Sequence, residues 1–108
     1  MNAVKSDVEK LVQKELESTN QRFPMFRSDH EGAAVIFEEI EESEKELKSI
    51  QNVFDELWYT VKSNESSEPW VSRIRTYSIN LVCEAIQVAA MAQKFIDSKK
   101  EREKSEGN

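Results

Sequence analysis

Six of the nine residues from Glu38 to Glu46 (EEIEESEKE) are glutamates, and Lys45 and Lys48 are too few to pair with them all at i,i+4 spacing. Glu39 and Glu42 are three apart and lie side by side on a helix, while Glu38, four before Glu42, flanks the same patch. Two carboxylates so placed can share one hard divalent cation such as Mg2+. An acidic run alone is more often a solvated helix face, so the pair needs a partner from elsewhere in the chain. Glu84 and Gln87 are the strongly polar side chains in the stretch from Leu81 to Ala92 (LVCEAIQVAAMA). A carboxylate buried among Val, Ile and Ala is costly unless it is paired. Asn80, Glu84, Gln87, Met91 and Lys94 follow a 4-3-4-3 spacing, so they trace one stripe. Two arrangements satisfy Glu84. In one, a Lys or Arg of a neighbouring helix pairs with it in a polar layer; in the other, it joins Glu39 and Glu42 across a helical bundle to hold a cation.

The elements that must position these residues are helical. Ser6 or Asp7 can cap a first helix, whose stripe is Val8, Leu11, Val12 and Leu16. Phe23-Pro24-Met25-Phe26 is an extended connector, because the residue before Pro resists helical angles. Ser28 or Asp29 caps a second helix, with Glu31 near its positive end. Ala33, Ile36, Phe37, Ile40 and Leu47 share one face; Ile50, Val53, Phe54, Leu57, Trp58 and Val61 share another, rotated by roughly 70°. That predicts two helices, or one kinked helix, with the change near Lys48–Asn52. The polar segment Lys62 to Glu68 (KSNESSE) is a loop ending at Pro69. A last helix begins near Pro69–Val71 and runs to about Ser98. It is apolar nearly all round from Ile79 to Ile96, which predicts a central, buried helix. Residues 99–108 (KKEREKSEGN) have no apolar side chain and are expected to fray. The expected architecture is one all-α domain over residues 1–108, an antiparallel bundle of about four helices completed by oligomerisation.

Composition agrees with this reading. The chain has 108 residues, 38% hydrophobic and 33% charged, a length that fits a single domain. Two Gly and two Pro leave little turn chemistry for an all-β fold. No window is expected to reach the roughly 20 apolar residues of a membrane span. A net charge of −6 argues against a general nucleic-acid backbone binder. One Cys forms no internal disulfide and points to a reducing, cytoplasmic location. Cys83 sits in an apolar run and reads as a core thiol, and His30, the only His, makes no zinc site. There is no glycine-rich phosphate loop.

Glu38-Glu39-x-x-Glu42 resembles the EExxE element of the MazG-like, all-α nucleoside triphosphate pyrophosphohydrolases, and Glu84-Ala85-Ile86-Gln87-Val88 resembles their later ExxDV element. HEGAAVIFEEIEE and EAIQVAAMAQKFID are similar to the small stand-alone proteins of this type from bacteria and phages. The resemblance covers about residues 10–98. It implies a helical, oligomeric fold, here a homodimer or homotetramer, that binds Mg2+ (or Mn2+) and hydrolyses a (d)NTP to the monophosphate and pyrophosphate. By motif position it implies Glu39 and Glu42 as the first ligand pair, Glu84 as the third ligand and Gln87 as a further metal contact. Glu38 would bind a second ion or orient the attacking water. Gln87 stands where the family has Asp; it offers a neutral carbonyl oxygen but removes one negative charge, which weakens the expected activity. Cys83 likewise stands where many relatives carry another Glu.

A triphosphate can approach an acidic cluster only with cations between them. Lys94, one step along the stripe from Met91, would contact the departing pyrophosphate; otherwise it is a lysine snorkelling from the helix end. The expected partners are a nucleoside triphosphate and further copies of the chain, with no nucleic acid and no membrane. The alternative is a non-enzymatic helical interaction module that presents an acidic face to a basic partner.

Overall fold

The protein is described by a computed structural model covering residues 4–106. It comprises α1 (Lys5–Arg22), α2 (Asp29–Lys62) and α3 (Glu68–Glu106), with no strand among the described residues. The all-helical class is as expected, but the helix count is three and not four. Residues 1–3 and 107–108 of the expected domain lie outside the described residues.

The missing fourth element is the expected break near Lys48–Asn52, where α2 runs through unbroken. No Pro interrupts it, and its single Gly, Gly32, lies in the first turn. Ser28 is the N-cap, its hydroxyl accepting the Glu31 amide at 3.1 Å. Ser63 closes the helix, and Asn64 takes a left-handed conformation (φ 56°) at the turn into α3. Pro69 occupies the first turn of α3, where its lack of an amide proton is harmless. The first helix starts earlier than expected: Val4 is its N-cap, without a side-chain cap, and Ser6 and Asp7 lie inside the first turn.

Alternating three- and four-residue steps along α2 and α3 explain how the two long helices pair. On α2 the shielded positions include Gly32, Ile36, Glu39, Ser43, Glu46, Ile50, Val53, Leu57 and Thr60. On α3 they include Trp70, Ile74, Tyr77, Leu81, Glu84, Val88, Met91, Phe95 and Ser98. Such steps mark the seam of two helices packed almost antiparallel. The close approach at Gly32 shows how tight the seam is there. A Cβ added at Gly32 would stand 2.6 Å from Phe95 Cδ2 and 3.0 Å from Phe26 Cδ2. The first helix packs against α3, where Leu16, Phe26, Ala90 and Met91 form the buried core.

The apolar face expected to point inward on the first half of α2 does so only in part. Ile36 is shielded, but Phe37 is 59% exposed, and Ile40 and Leu47 are exposed as well. With Phe54, Trp58 and Val61, also exposed, they form a second line at the same spacing, about 100° round the helix from the seam. Nor is α3 buried within one chain: in its most apolar 18-residue window only 17% of the residues are buried. That helix is long and apolar enough, by length and composition, to cross a membrane, contrary to the expectation that no window reaches that length. Cys83 is exposed and not a core thiol. The molecule measures 70 × 29 × 23 Å, with a radius of gyration of 18.6 Å against about 13 Å for a compact chain of this size.

Helix α3 also continues past Ser98 to Glu106, through the described part of the segment expected to fray, because that part is fastened. Ser98 Oγ accepts the Phe26 amide at 2.9 Å, and Arg102 Nη1 donates to the Phe26 carbonyl at 2.9 Å. Arg102 also reaches Asp29 at 2.6 Å, and Lys99 lies 3.6 Å from the same carboxylate. The connector is thereby pinned to the far end of α3.

Candidate functional site

Pairing α2 with α3 brings Glu39, Glu42 and Glu84 together: one carboxylate oxygen from each lies within 4.8 Å of the other two. Glu39 and Glu84 stand half-buried on the seam, and Glu42 is exposed beside it. The Oε2 atoms of Glu39 and Glu84 are shielded and have no hydrogen-bond partner. The neighbouring hydroxyl of Ser43 does not help, because it donates to the Glu39 backbone carbonyl at 3.0 Å. The polar-layer arrangement, with a Lys or Arg on Glu84, is not what the side chains adopt. The ion pairs at Asp29 use Lys99 and Arg102, near the C-terminal end of α3.

The electrostatics follow from that crowding. Burial raises the pKa of Glu84 above the usual carboxylate value, and the adjacent Glu42 carboxyl, then Glu39 and Glu46, raise it further. Burial likewise raises Glu39, with added repulsion from Glu42, Glu38 and Glu15. Two carboxylates that the sequence reading left outside the site therefore act on it. Glu46 follows Glu39 along the seam by one heptad step, and its shielded Oε2 also lacks a partner. Its position in the 39-43-46 register was the available signal. Glu15 comes from α1, and nothing in its local sequence distinguishes it.

The donor set fits a small hard cation. Oxygens on opposite sides of an octahedral Mg2+ stand about 4.2 Å apart, given its oxygen distance of about 2.1 Å. The trio's oxygens lie within 4.8 Å of one another, and side-chain rotations that bring them to the separation of about 3 Å between neighbouring octahedral ligands would close the site. Orphaned carboxylate oxygens are the groups that a cation would satisfy, and among the described residues no cationic side chain takes that role.

A cleft of about 600 Å³ adjoins the trio through Glu39. Glu38, Gln87 and Lys94 also line it, so these three candidates share one wall system with Glu39, although none belongs to the close trio. Lys94 is not a snorkelling lysine: the residue is 1% exposed, with its ammonium 5.0 Å from the centroid of the Phe26 ring. Burial lowers its pKa, partly offset by the Glu31 carboxylate. The sequence marks Phe23-Pro24-Met25-Phe26 as an extended connector but not as part of a site, yet Phe23, Pro24 and Phe26 contribute to the cleft's apolar wall. In comparisons with known proteins, no family model, no curated protein and no solved structure matches the chain.

Proposed function

We propose that Glu39, Glu42 and Glu84 hold a divalent cation, Mg2+ or Mn2+, and that the chain hydrolyses a (d)NTP to the nucleoside monophosphate and pyrophosphate. The observation that carries this reading is the meeting of three carboxylates from two helices without a cationic side chain to pair them. The MazG-like resemblance of the two acidic elements supplies the reaction class. A cation bound there supplies charge neutralisation and water activation at the phosphates. The chain's own groups do the rest. Glu38, exposed on the cleft wall next to Glu39, orients the attacking water, Gln87 offers its neutral carbonyl oxygen beside Glu84, and Lys94 contacts the substrate. With Gln87 in place of an acid the site carries one charge fewer, and weak turnover is expected.

The same reading includes a homodimer or homotetramer in the cytoplasm, with no nucleic-acid or membrane partner. Its support is the exposed line of Phe37, Ile40, Leu47, Phe54, Trp58 and Val61, which a second copy of the long hairpin would cover by the same heptad packing. Leu47→Glu together with Phe54→Glu should reduce the sedimenting mass to 12.5 kDa. A wild-type chain already at that mass would refute the assembly. A non-enzymatic interaction module is the second reading, since that exposed line suits any helical partner.

The deciding experiment incubates the purified chain with each (d)NTP and Mg2+ and follows the products by phosphorus NMR. Monophosphate and pyrophosphate, abolished by chelator, are expected. Orthophosphate release would put the cut at another phosphoanhydride bond and overturn the pyrophosphohydrolase assignment, whereas no turnover together with a melting temperature indifferent to millimolar Mg2+ favours the interaction module.

A further inference from the structure

Within the reading just proposed, we infer that the α1 end of the cleft takes the nucleoside moiety of the substrate, with Phe23 stacking on the base and Thr19 and Lys94 donating hydrogen bonds to its polar edge. The cleft's size is the first argument. About 600 Å³ lies within the range of small-molecule sites and far exceeds the needs of a pyrophosphate group.

Its lining is part charged and part apolar. Near the trio the walls are Glu38 and Glu39, where phosphates need intervening cations. Phe23, Phe26, Val35 and Met91 also line it and offer an apolar surface that suits a flat heterocycle, beside the charged Glu15, Arg22 and Glu31. Phe23 is 58% exposed at this end, so aromatic surface stands open even with the Arg22 guanidinium over the ring, 5.6 Å from its centroid.

Two buried polar side chains also line this end. Thr19 is 8% exposed, and its hydroxyl makes no hydrogen bond among the described residues. Lys94 forms neither a hydrogen bond nor an ion pair there. Both side chains line the cleft, so a ligand edge there would meet their donors.

Distance supplies the last argument. Ten residues separate Glu84 from Lys94, about 15 Å along the helix axis, and Lys side chains lean back towards the helix N-terminus. A sugar and an α-phosphate occupy that interval when the phosphates are held at Glu84. The order base, sugar, phosphates then places the leaving pyrophosphate on the side of the trio away from Lys94. This replaces the pyrophosphate contact expected from the sequence.

The test is calorimetric binding to the full chain with Mg2+ present. The probes are inorganic tripolyphosphate and the non-hydrolysable α,β-imido analogues of the four deoxynucleoside triphosphates. At least one analogue should bind about fivefold or more tightly than tripolyphosphate, the minimum expected of aromatic stacking on a base. Phe23→Ala, Thr19→Val and Lys94→Met should each erode that advantage while leaving tripolyphosphate affinity unchanged. The exposed Phe23 makes the first of these safe for folding, and melting curves check the other two. Equal affinities for tripolyphosphate and every analogue would overturn the inference and leave the cation site standing. A Lys94→Met variant that loses tripolyphosphate binding would return Lys94 to the phosphates and overturn its part. If neither probe type binds, the metal-dependent reading itself fails, and the inference falls with it.

Discussion

Replacing Glu84 by Gln should reverse its effect on stability when Mg2+ is added. In the wild-type chain without metal, the Glu84 carboxylate stands within 4.8 Å of two others. Two unit charges at 4.8 Å repel by about 3.5 kcal/mol at an effective dielectric of about 20, and by about 0.9 kcal/mol in bulk water. Glu42 is exposed and Glu84 only half-buried, and proton uptake already relieves part of the repulsion, so the lower figure is nearer. Glu84→Gln should then stabilise the metal-free protein by about 1 kcal/mol, a rise in Tm of roughly 4–8 °C for a domain of this size. The Gln amide also adds a donor where only acceptors now stand. With Mg2+ at about 100 times its Kd, wild type gains about 2.7 kcal/mol by mass action. The variant, short of a ligand, should gain almost nothing. The two melting curves therefore cross: the variant melts higher in EDTA and lower in saturating Mg2+. Thermal melts at fixed protein concentration read this directly. A variant less stable than wild type in EDTA would show that Glu84 has a stabilising partner and refute the electrostatic reasoning. An equal Mg2+ shift in both proteins would remove Glu84 from the cation site.

Glu41 and Glu44 are exposed and outside the trio, so Glu41→Gln and Glu44→Gln should each change stability by less than about 0.5 kcal/mol and leave the Mg2+ shift intact, as denaturant melts would show. The raised pKa values of Glu39 and Glu84 mean that the folded chain binds more protons than the unfolded one above the ordinary carboxylate range. Metal-free stability should therefore fall as pH rises from about 4.5 through their folded values and then level off, and saturating Mg2+ should flatten that fall. A metal-free curve that rises with pH over this window would contradict the assignment. Gly32→Ala should destabilise by about 1–3 kcal/mol despite its better helix propensity, because the new Cβ meets Phe95 and Phe26 in a packed seam. A Gly32→Ala variant as stable as wild type in a urea titration would mean that the seam yields.

Local signals in the sequence were read well. Ser28 caps α2 as its type and spacing suggest, Leu16 lies on the buried side of α1, and the polar stretch ending at Pro69 separates the two long helices. The errors came from treating every apolar stripe as a core stripe. Phe37, Ile40 and Leu47 formed the more obvious pattern on α2, yet the seam runs through Glu39, Ser43 and Glu46. Hydrophobic periodicity finds an apolar face but does not say which surface it meets. The charged stretch after Ser98 showed a related limit. Its composition favoured fraying, while its order depends on Asp29 and Phe26, more than 70 residues away in the chain. The trio itself was legible because all three members lie on strongly patterned helices. Thr19 and the connector residues Phe23 and Phe26 were not, because their importance comes from where the fold places them.

The hydrogen bonds that pin Phe26 to Ser98 and Arg102 close loops of 72 and 76 residues, whereas α2 and α3 meet across a turn of about five. Closing 76 residues costs about 2.4 kcal/mol more in chain entropy than closing five. The hairpin should therefore assemble first, with α1 and the connector docking onto it afterwards and detaching before it melts. The three carboxylates belong wholly to the early-forming part, and the aromatic wall of the cleft belongs to the late one. An excursion that frees α1 would leave Glu39, Glu42 and Glu84 gathered while Phe23 and Phe26 swing away. Such an opening would widen the cleft without dispersing the three carboxylates of the proposed cation site.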